Sequence, residues 1–207
     1  MIYYIMLKNK FQTLCQNFTK DYNQVNTLWK EIEEKHTEPT RYYHTLKHLE
    51  HIYSELPRLD IVTEFAIFYH DIVYDVSCSD NEEESASVCE KRLALLGAKT
   101  KLIEEVTKLI VETKTHEPSS KRNALFLDAD LAVLGSSEDI YKAYTQNIRK
   151  EYAIYSDSVY REGRQKVLKH FLEKERIYVS DYFYELYEKK ARSNIIKELN
   201  KLHYHML

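Results

Sequence analysis

The stretch Phe65-Ala66-Ile67-Phe68-Tyr69-His70-Asp71-Ile72-Val73-Tyr74 is apolar on both sides of a single His-Asp pair. A run of this kind reads as a helix buried in a core. At about 100° per residue, Phe65, Phe68, Tyr69 and Ile72 share one face, while His70 and Asp71 fall opposite, with Ile67. Two ionisable groups inside a buried helix are costly unless something holds them. A divalent cation is the usual holder, because imidazole and carboxylate are its natural ligands.

The rest of the chain fits a helical setting for that segment. Its 207 residues, 43% hydrophobic and 30% charged, suffice for one soluble domain spanning 1–207 with a real core. Three Gly and three Pro are too few for an all-β fold, which needs a turn about every ten residues. Helical periodicity recurs between the few breaks and predicts an all-α bundle of nine or ten helices. The stretch 8–35 carries Phe11, Leu14, Phe18, Tyr22, Val25, Leu28 and Ile32 at steps of three and four. Helices are expected over 43–55, closed by Pro57, and over 61–75, with the His-Asp pair inside. The next opens at a capping box, either Asp80 with Glu83 or Ser79 with Glu82, and ends at Gly97. Others cover 101–115 and 125–134, the latter stopped by Gly135. Ser137, Ser156 and Ser180 are N-caps for three more, the last reaching Leu202. The metal site is expected within 41–135, with the helices of 137–203 packed over it.

Charge and thiols bound the function. A net charge of -3 gives no reason to expect a nucleic-acid polymer as partner. Cys15, Cys78 and Cys89 form no CxxC pair and read as reduced thiols. The apolar start Met1–Leu7 lacks a basic lead and is too short to span a bilayer, so the expected setting is cytoplasmic, without a membrane partner. The 18 tyrosines read mainly as half-buried core residues standing in for Phe, with a hydroxyl-lined pocket as the alternative.

Upstream lies Arg41-Tyr42-Tyr43-His44-Thr45-Leu46-Lys47-His48-Leu49-Glu50-His51. His44, His48 and His51 occupy i, i+4 and i+7, which stack along one face of a helix. His51 reads as a solvated residue beside the core stripe, and His44 and His48 as a functional pair. Downstream, Asp128 and Asp130 compete for one role: two apart on a helix they point about 200° from each other, so only one can face a metal.

The order His48, His70-Asp71, Asp130 resembles the signature of the HD superfamily of metal-dependent phosphohydrolases. That resemblance implies an all-α fold and one divalent ion, Mn, Co, Ni, Mg or Fe, held by His48, His70, Asp71 and Asp130. Asp130 stands first because the family's last ligand is often the second acid of Asp-x-Asp; Asp128, the runner-up, would then cap or orient a ligand histidine. Tyr43-His44-x-x-x-His48 looks like the Tyr-His-Asn-x-x-His motif of cyclic-nucleotide phosphodiesterases, with Thr45 in place of its Asn. It implies that His48 is the ligand and His44 the proton donor to the leaving group. The strings around His44, His70, Glu83 and Asp130 also resemble a bacterial branch of predicted HD phosphohydrolases.

The implied reaction is hydrolysis of a small phosphorylated substrate, an ester or anhydride with nucleotides among the candidates, by a metal-activated water whose proton passes to Asp71 or Asp130. A sensor module that binds metal and nucleotide without turnover is the alternative, and a di-iron HD-fold oxygenase a third reading. The third needs ligands beyond His116, the only histidine between Asp71 and Asp130, so one metal is expected. Arg41, Glu82 and His116 are the expected substrate contacts, with Arg149, Arg161, Arg164 and Arg192 on later helices as further cations. A homo-oligomer is left open.

Overall fold

Among residues 2–204, which the computed structural model describes, there are ten α-helices, one 3-10 turn and no strand. Residue 1 and residues 205–207, the ends of the expected 1–207 span, lie outside the described residues. The helices are α1 (Ile2–Cys15), α2 (Tyr22–Lys35), α3 (Leu46–Glu55), α4 (Ile61–Tyr69), α5 (Asn81–Leu95), α6 (Thr100–Glu112), α7 (Lys121–Asp130), α8 (Glu138–Glu151), α9 (Asp157–Glu173) and α10 (Asp181–Tyr204), with the 3-10 turn at Ala132–Gly135. No helix among them is long and apolar enough to cross a membrane.

Helix α4 is the hub. Asp60 caps its start by accepting from the Thr63 N–H, and every residue from Val62 to Tyr69 except Glu64 is buried. It packs against α1, α3, α5, α6 and α7. Phe68 meets Phe11 edge-on at 5.0 Å and Trp29 at 6.4 Å, so the aromatic centre of the core sits directly behind the His-Asp pair. At the far end of α5, Leu96 and Gly97 close the helix as read from sequence. Gly97 adopts φ +77°, and the Ala98 N–H reaches back to the Leu93 carbonyl, a Schellman closure.

The expected elements differ from the observed ones at several places, among them 125–134, which is α7 from Lys121 to Asp130 followed by the 3-10 turn. The 8–35 periodicity spans two helices, because the chain turns after Cys15 and restarts where Asp21 accepts from the Asn23 and Gln24 N–H groups. The helix expected from 43 begins at Leu46, so His44 lies in the loop before it. The helix expected to reach 75 ends at Tyr69; His70 is its C-cap, and Asp71 sits in the following turn. Neither capping box forms at α5: Asp80 takes the cap position without a side-chain bond, and Asn81 instead ties the loop by exchanging bonds with Asp75.

The 3-10 turn packs tightly on α10. A Cβ at Gly135 would lie 2.5 Å from Tyr187 Cβ and 2.9 Å from the Tyr187 carbonyl oxygen, whereas a Cβ at Gly163 would meet nothing within 4 Å. Gly135→Ala is therefore expected to destabilise by about 1–3 kcal/mol. Gly163→Ala, in the interior of α9, should stabilise by up to about 1 kcal/mol. Urea unfolding of the two variants checks both signs.

Candidate metal centre

The C-terminal end of α4, the first turns of α3 and the last residue of α7 converge. His48 Nε2 and His70 Nε2 approach to 3.2 Å. Asp71 Oδ2 lies 3.0 Å from His70 Nε2 and 3.6 Å from His48 Nε2. Ligand atoms of His48, His70 and Asp71 all fall within 4.8 Å of one another. Asp130 Oδ1 adds a fourth donor atom, 3.0 Å from His48 Nε2 and 3.7 Å from His70 Nε2.

This donor set fits a divalent cation. His70 Nδ1 bonds the Ile67 carbonyl, so it carries the proton and its Nε2 lone pair faces the cluster. Two neutral imidazoles and two carboxylates carry a charge of about -2, which one divalent ion cancels. The cluster favours positive charge at its centre. Burial alone would lower the His70 pKa, but Asp71 beside it and Asp130 outweigh burial and lift it to about 9. Burial would likewise raise Asp71 and Asp130, yet the surrounding histidines hold both below the ordinary carboxylate range.

The two aspartates of α7 separate as the helix geometry requires. Asp130 faces the histidines; Asp128 is buried on the other side and accepts from the Val179 N–H, the Ser180 N–H and the Ser180 hydroxyl. Asp128 thereby ties the segment before α10 to α7.

His44 reaches the cluster by a different route from the one its spacing suggests. Its ring lies 5.6 Å from that of His48, but it is held from the loop by Glu151, the last residue of α8. Glu151 Oε1 accepts from the N–H groups of Tyr42, Tyr43 and His44, and Oε2 accepts from His44 Nδ1 at 2.8 Å and from the Tyr74 hydroxyl. A buried carboxylate at a helix C-terminus opposes the helix dipole; here three amides and an imidazole compensate it. Burial pulls the His44 pKa down, and Asp71 and Glu151 more than reverse that, so the ring is held above its usual value. Residue 151 stands 107 positions from His44, and no local pattern marks it.

Arg41 is a correction. It was expected to contact substrate, but its side chain is 1% exposed and its guanidinium bonds the carbonyls of Asp71 (2.5 Å) and Ile72 (3.1 Å). It staples the turn after α4 to the loop carrying His44. Of the further arginines, Arg149 holds Asp157 and the Tyr152 and Tyr155 carbonyls, Arg164 holds Glu198, and Arg192 holds Glu188. His51 sits 3.7 Å from Glu55, away from the cluster.

A cleft of about 910 Å³ opens on the centre. His44, Asp130, His116 and Glu82 line it, so the latter two stand where substrate contacts were expected. His116, the one non-glycine residue with positive φ (+54°) among the described residues, places Nε2 3.4 Å from Asp130 Oδ2. Six tyrosines, Tyr43, Tyr74, Tyr144, Tyr152, Tyr155 and Tyr160, share the lining. Reading tyrosines singly as core fillers misses this grouping. No family model matches the chain, and no curated protein or solved structure matches it either.

Glu151 gives a pH test. Burial alone would raise its pKa; the bond and charge of His44 and the backbone donors lower it from 4.5 to about 2. A depressed carboxylate pKa contributes stability that is complete above the unfolded value and is lost as pH falls through the folded one. At neutral pH Glu151→Gln should cost about 3 kcal/mol. That gap should close as pH falls from about 4.5 toward about 2. Urea titrations across this range read the gap directly; a pH-independent difference would contradict the assignment.

Proposed function

We propose that this chain is a metal-dependent phosphohydrolase of HD type, acting on a small phosphate ester or anhydride. The observation that carries the reading is the convergence of His48, His70, Asp71 and Asp130 at one end of a cleft that also holds His44. The sequence resemblance and the all-α fold agree with it. His48, His70, Asp71 and Asp130 would hold the cation, which when bound supplies charge neutralisation for the phosphoryl oxygens and acidifies a water.

The chain's own residues divide the remaining work. His44 Nδ1 is committed to Glu151, so a proton delivered to the leaving oxygen departs from Nε2. Glu151 fixes that orientation and stabilises the imidazolium before transfer. Asp71 and Asp130, kept ionised by their histidine neighbours, are acceptors for the proton of the attacking water. Tyr43, packed 4.9 Å from both the His44 and His48 rings, walls this corner of the cleft.

The test is phosphate release from a panel of nucleotide and sugar phosphates with added Mn or Co, and its loss on chelation. His44→Asn should lower kcat by about 100-fold or more with the metal retained. Asp130→Ala should weaken metal binding at least about tenfold, whereas Asp128→Asn should leave it near wild type and lower stability instead. Metal-loaded protein that binds nucleotide without turnover would sink the hydrolase in favour of a sensor. Two metals per chain would favour the oxygenase.

A further inference from the structure

The cleft is far larger than a phosphate and a cation require, and its remainder has a definite chemistry. Two helix stripes contribute to its lining. On α8 and its C-cap the stripe is Tyr144, Ile148 and Tyr152, at steps of four; on α9 it is Val159, Gly163, Val167 and Phe171, also at steps of four. Val159 and Val167 are 55% and 47% exposed, although both line a concave wall. Single exposed valines are ordinary, but two on one stripe share the lining with Tyr144 and Tyr152 and form with them an apolar slot in the cleft that Asp130 and His44 also line.

Three of the lining tyrosine hydroxyls are already engaged. The Tyr74 hydroxyl bonds Glu151, the Tyr155 hydroxyl bonds the Val76 carbonyl, and the Tyr144 hydroxyl accepts from Arg164. These rings therefore offer a ligand chiefly their faces and edges. The lining cations Lys114, Arg164 and Lys166 are held by Glu83, Glu198 and Glu162, and Lys174 bonds the Thr115 carbonyl. A flat apolar group finds stacking surface here. At the middle of the α9 stripe Gly163 has no side chain, and a Cβ there would project into open space. That absence lowers helix propensity and leaves a flat gap between Val159 and Val167.

Resting on the phosphohydrolase reading, we infer that this slot is a subsite for a flat aromatic or heteroaromatic group esterified to a single phosphate, and that Gly163 is its selectivity-determining position. The ring lies between the α8 and α9 stripes while the phosphoryl group reaches the metal centre. Base–aromatic and aryl–aromatic stacking of this kind is worth about tenfold to a hundredfold in affinity.

The experiment compares 1-naphthyl phosphate with glycerol 3-phosphate, two monoesters of equal charge, on the metal-loaded full chain. Wild type should show a KM about tenfold or more lower for the naphthyl ester, since its better leaving group speeds the chemical step but stacking is read in KM. Gly163→Leu, whose Cβ would meet nothing within 4 Å, should raise KM for the naphthyl ester about tenfold and change that for the glycerol ester far less. Gly163→Ala, a smaller intrusion, should retain most of the selectivity and confirms that the leucine acts by filling space. Equal KM for both esters in wild type, or an equal rise in KM for both in Gly163→Leu, overturns the subsite. If neither ester is hydrolysed, the phosphohydrolase reading falls separately, and calorimetric binding of 1-naphthyl phosphate decides the slot. A Kd about tenfold weaker in Gly163→Leu supports it, and an unchanged Kd overturns it.

Discussion

Everything in this fold answers to one constraint: two histidines and two aspartates meet at the end of a helix that has almost no polar surface of its own. Helix α4 brings His70 to the centre of the molecule because Phe65, Phe68 and Tyr69 drive it there. Its C-terminal turn then exposes carbonyls and a carboxylate to a poorly solvated interior. Arg41 takes the Asp71 and Ile72 carbonyls, while His48 and Asp130 close over the imidazole. Removing any one of these leaves a buried polar group without its partner, so the site and the core behind it are one cooperative unit.

Helix α8 meets the same constraint from the opposite side. An acid at the C-terminal end of a helix, buried, is unfavourable twice over. Glu151 is tolerated because the 42–44 loop turns three consecutive N–H groups toward one of its oxygens. That geometry requires those residues to be non-helical, which is the physical reason α3 starts at Leu46 and not earlier. Glu151 thus shapes the loop and orients His44 by a single set of bonds.

Much of this was legible in the sequence, and the pattern of what was not is informative. The all-α class, the buried α4, the Gly97 closure, the serines before α8, α9 and α10, and the divergence of Asp128 from Asp130 all follow from contacts within a few residues. Periodicity could not see that 8–35 holds a break, since the apolar steps continue across Asn17 and Asp21 while the backbone does not. His44 was placed beside His48 for the wrong reason: a helical face was inferred, and a loop held by Glu151 does the placing. Arg41 resembled a phosphate contact because a cation near histidines suggests an anion, but its partners are carbonyls 30 and 31 residues away. The last two misses involve a polar side chain whose partner is distant in sequence, where spacing carries no information.

The position of Glu151 has one more consequence. Tyr152, the next residue, lines the cleft, and Arg149, one turn earlier, fixes the Tyr152 and Tyr155 carbonyls and lies 4.8 Å over the Tyr160 ring. The segment whose tyrosines line the cleft is therefore the same segment that holds His44. Glu151 and Tyr152 share a peptide bond, so a ligand that shifted Tyr152 would also shift the carboxylate and, through a 2.8 Å bond, the imidazole. Cores transmit such displacements because they are close-packed and deform little. On the proposed reading, recognition of the group carried on the phosphate and alignment of the proton donor are two readouts of one rigid turn at the end of α8.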